Sequence, residues 1–261
     1  MKDFRNLKYL FILAIISFTA CAQEETSEAN QEEEDDGFVS IFNGKSMDGW
    51  EGDTDIWRVE DGLLIGELTA DTDLKSNTFL IWTGGEPSDF ELKVDFKITE
   101  DGNSGINYRS ERLVDIPFAL RGYQADIDGK NTYTGQNYEE RKRATLAYRG
   151  QQTKINPQDP PGEIRDFVER NAWRGLELTK ELGDRDSLRT LIQEEDWNHM
   201  HLVIKGNHLQ HFVNGVLMSE VMDEDPVNRS FSGYLGFQVH VGPPMQVTFK
   251  NIYLKETTIL N

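Results

Sequence analysis

The sequence predicts an all-β sandwich with one or two short helices carried in an insertion. Three observations lead there. Apolar side chains alternate with polar ones at period two over short segments, as strands with one buried face require. Gly, Asn and Asp separate those segments at turn spacing. Residues 38–261 contain neither a second linker nor an internal repeat, and a sandwich of that length is one domain.

Taken in order, Leu63-Leu64-Ile65 leave the turn at Asp61-Gly62 as a strand. Leu92, Val94, Phe96 and Ile98 alternate with Lys93, Asp95 and Lys97, which predicts a strand with one buried face. Residues 164–170 and 186–193 space apolar residues three and four apart, with Leu188, Leu191 and Ile192 in the second, and predict short helices. Residues 201–205 and 208–213 flank Gly206-Asn207, the signature of a two-residue hairpin. Residues 234–241 and 245–254 predict two further strands around Gly242-Pro243-Pro244.

Composition closes several functional classes. The 261 residues include a single cysteine, which excludes an internal disulfide and a cysteine zinc cluster. Against 27 Lys and Arg stand 46 Asp and Glu, a formal charge of −19 that repels phosphate backbones and argues against a nucleic-acid partner.

Residues 1–21 read as a lipoprotein export signal. Lys2, Arg5 and Lys8 precede a short apolar core at residues 10–18. Phe18-Thr19-Ala20 then lead into Cys21 as in a bacterial lipobox, which would leave Cys21 as a lipidated N-terminus; a plain secretory signal is the other reading. Residues 22–37 form an acidic tether expected to be disordered. Cys21-Ala22-Gln23-Glu24-Glu25 also resembles the acidic export signal of some Bacteroidetes lipoproteins. The expected location is therefore the outer membrane of a Gram-negative bacterium, periplasmic or surface-exposed, with a lipid anchor as the membrane contact.

Five tryptophans are present, and aromatic residues with a polar tip suit stacking on sugar rings. Trp50 and Trp57, beside strand starts, read instead as core residues.

A set of segments carries a family resemblance. They are Ile41-Phe42-Asn43-Gly44-Lys45 with Gly49-Trp50, residues 57–62, Asp89-Phe90-Glu91-Leu92, and Asn103-Ser104-Gly105-Ile106-Asn107-Tyr108-Arg109. Gly122-Tyr123-Gln124-Ala125-Asp126-Ile127, Tyr138-Glu139-Glu140-Arg141, Trp197-Asn198, Asn214-Gly215 and residues 236–245 follow in order. Together they resemble the 3-keto-disaccharide hydrolase domain family, long described as a domain of unknown function. The resemblance implies a concanavalin-like jelly-roll sandwich over residues 38–261.

It also implies a substrate in which C3 of a glucoside is a ketone. That carbonyl acidifies the C2 hydrogen, so a modest base removes it, the glycosidic oxygen leaves from C1, and water adds back. Such chemistry needs a base, an oxyanion stabiliser and an acid for the leaving group. No nucleophile elbow, phosphate loop or dinucleotide fingerprint competes with it.

The candidates come in pairs spaced by two, hence on one face of a strand. His240, with Gln238, is the first; it can exchange a proton near neutrality, or be a hydrogen-bonded structural histidine. Asp126, with Gln124, is a candidate base or metal ligand, or an acid lining a turn. Arg109, with Asn107, could stabilise an oxyanion through its planar fork or form an internal salt bridge. Tyr108, Asn107, Gln124 and Gln238 are expected to hold substrate, and Arg109, Gln124, Asp126, Gln238 and His240 are expected to converge on one concave pocket. Glu139, Glu140 and Arg141 read as a solvated charge run or a closing loop.

No cofactor is indicated outright. The hairpin places His199, His201 and His208 on one face and His211 on the other, a pattern that leaves a divalent metal open although any exposed strand can produce it. Three rival functions remain: an enzyme acting on 3-keto-glycosides, a lectin-like binding module on the same face, and a structural surface lipoprotein. An ordinary glycosidase would need two carboxylates at set separations.

Overall fold

The computed structural model describes residues 36–257. The leader, Cys21 and the tether up to residue 35 lie outside the described residues. Among the described residues, 37–257 form one compact unit. Among the described residues, no helix is long and apolar enough to cross a membrane.

Two large sheets face one another as a jelly-roll sandwich. In the ten-stranded sheet the strands run in space as Leu176–Glu181, Gln151–Ile155, Val216–Asp223, His208–Val213, Asn198–Lys205, Phe90–Ile98, Met245–Glu256, Leu63–Leu68 and Trp57–Glu60, with Val39–Ser40 also on Met245–Glu256. In the nine-stranded sheet they run as Val168–Glu169, Ala172–Trp173, Ala144–Ala147, Asn137–Glu140, Leu120–Asp128, Asn103–Arg112, Tyr234–Val239, Thr78–Trp82 and Trp50–Glu51. Pairing is antiparallel except where Gln151–Ile155 meets Val216–Asp223 and Ala144–Ala147 meets Ala172–Trp173.

Period two decides which face packs. Phe90, Leu92, Val94, Phe96 and Ile98 are buried while the residues between them are not. The hairpin behaves as its turn predicts: Met200, Leu202 and Ile204 face the core, opposite Val213, His211 and Leu209. An aromatic run ties the layers together, with Phe237 stacked on Phe249 at 4.3 Å and Trp50 on Phe237 at 5.2 Å. Trp50 and Trp57 are core residues, as read.

Two elements are shorter than predicted. The first helix is a single 3-10 turn, Ile164–Phe167, before the chain extends as Val168–Glu169. The second is Arg185–Arg189, capped by Asp184, whose carboxylate accepts from the Ser187 N–H. Leu188 and Ile192 are buried beside it, while Leu191 is exposed. The strand expected over 234–241 ends at Val239.

Candidate functional site

The outward face of the nine-stranded sheet is buried and polar where a solvated face would be open. Tyr123, Ala125 and Ile127 point into the core, so Gln124 and Asp126 point away from it; even so they are only 4% and 8% exposed. Gln238, Gly105 and Asp126 stand in one register row across three strands. Gly105 matters there because it has no Cβ. One added would come within 2.6 Å of Gln124 Cγ and Cδ, so the glycine gives the Gln124 amide room to lie along the row.

A chain of hydrogen bonds fills that row. Gln238 Nε2 donates to Gln124 Oε1 at 3.0 Å, and Gln124 Nε2 donates to Asp126 Oδ1 at 2.6 Å. Gln136 Nε2 donates to Asp126 Oδ2 at 2.6 Å. No cation pairs with this carboxylate among the described residues. Burial pushes the Asp126 carboxyl up to about 7; the two amide donors oppose that, and the charges of Glu140 and Asp128 reinforce it. A carboxyl so placed exchanges a proton near neutrality.

The same patch leaves acceptors unused. Asn107 Oδ1, Gln136 Oε1 and Gln238 Oε1 are buried without a hydrogen-bond partner among the described residues. Each such group costs about 1–3 kcal/mol, recovered when a ligand donates to it. Hydroxyl groups are such donors.

Other side chains frame the patch. Tyr138 sits opposite Gln124, and its hydroxyl donates to Asn171 Oδ1 at 3.4 Å. Burial, helped by the charges of Glu140 and Asp126, raises this phenol to about 12, so it keeps its proton. Glu140 Oε1 accepts from Asn77 Nδ2 at 3.0 Å, and Asn77 Oδ1 accepts from Val241 N at 3.0 Å. Phe79, Ile81 and Leu120, with Tyr234 packed against them, make an apolar cluster at one end of the face.

Of the residues predicted for the site, Asn107, Gln124, Asp126 and Gln238 share this face. His240 stands past the strand end, half-buried, with Nδ1 donating to Val241 O at 2.6 Å. That bond leaves Nε2 without a partner among the described residues. Asn77, through the Val241 N–H, links its segment to Glu140.

Arg109 corrects the expectation. Its backbone adopts φ +45° where the register shifts between Tyr108 and Glu111, and the bulge turns the side chain away from Asn107's face. The guanidinium donates to Ser88 O at 2.6 and 2.8 Å, to Gly206 O at 2.6 Å and to Asp89 Oδ1 at 3.0 Å. It therefore joins the two sheets. Of the two readings weighed, an oxyanion stabiliser and an internal salt bridge, the second holds.

Tyr108 is the second correction. Next to Asn107 on a strand, it must point the opposite way. It lies in the core, stacked on Tyr123, with its hydroxyl on His211 Nε2 at 2.8 Å.

The run Glu139-Glu140-Arg141 is the third. It belongs to the strand Asn137–Glu140 and the turn after it, and neither glutamate is solvated. Glu140 faces the patch. Glu139 faces inward, within 3.2 Å of Arg143, which also binds Asp223 at 2.6 Å.

The hairpin histidines divide as expected. His199 pairs with Asp95 at 2.8 Å, His201 with Glu91 at 2.9 Å, and His208 with Glu220. Each carboxylate serves one histidine, and among the described residues no three His, Cys, Asp or Glu side chains gather as a metal-holding group. His211 is inward, and burial lowers it to about 3, so it is neutral. Its Nδ1 donates to Gln136 O at 3.3 Å, which supports the residue that clamps Asp126. Gln136, Tyr138 and Glu140 were missed as a site strand, although their spacing by two was available in the sequence.

None of the curated proteins matches the chain. Among solved structures, a candidate glycosyl hydrolase from Parabacteroides distasonis ATCC 8503 superimposes with a TM-score of 0.52 at 21% identity, over 85% of this chain and 94% of its own. A second from the same organism gives 0.51 at 16% identity, over 84% and 99%. The carbohydrate-binding module CBM66 from Bacillus subtilis gives 0.48 at 15% identity, over 79% and 95%. Residues 37–255, almost the whole of the compact unit, match the model of one family, and the chain belongs to it: the 3-keto-alpha-glucoside-1,2-lyase-like domain family.

Proposed function

We propose that the protein cleaves 3-keto-glycosides at the Asp126 patch by C2 proton abstraction, elimination and hydration. The observation that carries this reading is a carboxyl gripped by two amides, raised to about 7 by burial in spite of them, and without a cation partner among the described residues. In this scheme Asp126 takes the C2 hydrogen as a proton, and the C–H electrons flow toward the C3 carbonyl. Expulsion of the C1 oxygen then re-forms that carbonyl and leaves a C1–C2 double bond. Water adds at C1, and C2 is reprotonated.

The second hydrogens of the Gln124 and Gln136 amides are the donors beside Asp126 for the developing enolate oxygen. The unpartnered oxygens of Asn107, Gln136 and Gln238 accept the sugar hydroxyls. With both ring nitrogens protonated, His240 keeps Nδ1–H on Val241 O and gives its Nε2 proton to the leaving oxygen, and solvent water returns that proton. A lectin-like module is the second reading, favoured by the same unused acceptors.

Incubation with a 3-keto-disaccharide and with its unoxidised parent separates these readings. The expected result is cleavage of the keto-sugar alone, with deuterium at C2 lost to water. Equal rates on both sugars without C2 exchange would overturn the mechanism, and binding without turnover would establish the lectin. The leader supports a lipid-anchored protein facing the periplasm or the cell surface. Replacing Cys21 with Ser should then move the protein from the membrane fraction to the soluble one, whereas a wild type that is soluble and carries no acyl mass defeats the anchor.

A further inference from the structure

A second polar cleft lies apart from the Asp126 patch. It encloses about 500 Å³ between the segment that enters Gln151–Ile155 and the start of the short helix. Tyr148, Arg149, Gly150, Glu181, Asp184 and Arg185 line it. Gly150 forms a close approach there: its φ is +91°, and a Cβ would lie 2.5 Å from Gly183 O. Only glycine lets the two walls come that near.

Two arginines meet in this cleft, and both are bound only to carbonyls. Arg149, 2% exposed, donates through Nη1 to Thr134 O at 2.8 Å and through Nε to Arg185 O at 3.2 Å. Arg185 donates through Nη2 to Thr132 O at 2.7 Å, with its guanidinium 5.4 Å from the Tyr148 ring centre. Neither forms an ion pair among the described residues. The acids of the cleft do not neutralise them: Asp184 Oδ1 caps the helix by accepting from Ser187 N and Oγ, both at 2.8 Å, and Glu181 is exposed at the rim.

Carbonyl oxygens satisfy N–H groups without cancelling charge. Burial, followed by the neighbouring charge of Arg185, lowers Arg149 to about 10. In a chain with a net charge of −19, two neighbouring guanidiniums without an ion pair, with Asp128 and Asp186 acting on Arg149 only through space, are an unusual use of arginine.

We propose that this cleft binds a compact oxyanion between Arg149 and Arg185. Planar guanidinium forks match the paired oxygens of a sulfate, phosphate or carboxylate, and the bond between them would be charge-assisted. The oxyanion has two sources: a free inorganic anion, or the acidic substituent of a saccharide.

The test is thermal denaturation of the full chain in sodium sulfate, sodium phosphate, glucuronate and glucose 6-sulfate, each against sodium chloride at matched ionic strength. Binding should raise Tm in proportion to the logarithm of the anion concentration above Kd, reaching roughly 5–10 °C at a hundredfold excess. Arg185→Gln, at a half-buried position, should abolish the rise, while Asp126→Asn should retain it. If Arg149→Gln fails to fold, Arg185→Gln still decides. Tighter binding of the acidic sugars than of inorganic sulfate assigns the cleft to a saccharide, and the reverse order assigns it to a free anion. A rise that chloride reproduces, or that survives in Arg185→Gln, overturns the proposal.

Discussion

Glu139 and Asp126 occupy neighbouring strands of one sheet, both buried, one facing in and the other out. Burial raises a carboxyl in either place. At Glu139 the charges of Arg143 and Lys142 outweigh it, and the group is held below its ordinary range. Arg143 also meets Asp223 and Asp225, so the interior cluster carries its own counter-ion. At Asp126 the hydrogen-bond donors are neutral amides and the nearby charges, Glu140 and Asp128, are like-signed, so burial prevails and the group rises to about 7. The contrast shows that depth alone does not set the proton affinity of a buried carboxyl. The presence of a cation does.

Asp126→Asn should have the largest effect. Turnover should fall by about two to four orders of magnitude, as expected for loss of a proton-transfer group, while the folded state survives because a desolvated charge has been removed. Steady-state kinetics and a melting curve on one preparation check both halves, and unchanged turnover would place the base elsewhere.

Arg143→Met attacks the other member of the comparison. It strands Glu139, Asp223 and Asp225 inside the sandwich and should cost roughly 3–5 kcal/mol of stability, read as a lower denaturation midpoint. Activity per folded molecule should persist. If activity disappeared while the fold held, the inward cluster would belong to the chemistry and the contrast would fail.

The smallest effect lies in the pH dependence of stability, where two buried groups oppose each other. The folded-state value of Asp126, about 7, exceeds its ordinary 3.8, so its contribution is full below pH 4 and is lost as pH rises through 7. His211 at about 3 lies below its ordinary 6.5, so its contribution is full above pH 6.5 and is lost as pH falls toward 3. Between pH 6.5 and 4 the two slopes offset. Asp126→Asn should therefore lose Tm more steeply than wild type on acidification across that window, and parallel curves would show that Asp126 does not titrate there.

Much of this was legible in the sequence, for a reason visible in single strands. Phe90–Ile98 alternates without a break and packs as it reads. Gln124 with Asp126, and Asn107 with Gln238, reach one face because their strands are regular at those positions. Arg109 was not legible: one residue in left-handed backbone reversed its side chain, and nothing in Tyr108-Arg109-Ser110 announces that. Glu139 was misread because its counter-ion, Arg143, arrives through a turn, and the acids that share Arg143 with it, Asp223 and Asp225, lie some eighty residues further along the chain. The second helix was overextended because Leu191 fits the spacing yet points to solvent.

The strand Leu176–Glu181, which the periodicity did not predict, ends the ten-stranded sheet and is exposed over nearly its whole length. A bare sheet edge offers unpaired N–H and C=O groups to any other chain, the template from which aggregation grows. Here the terminal strand carries Glu177, Lys180 and Glu181, and the opposite edge carries Arg58 and Glu60. A second copy approaching either edge would have to desolvate those charges. The insertion thus works as a border that keeps neighbouring molecules from joining sheets, and its removal would uncover Gln151–Ile155 as an edge whose inward residues are Thr153 and Ile155.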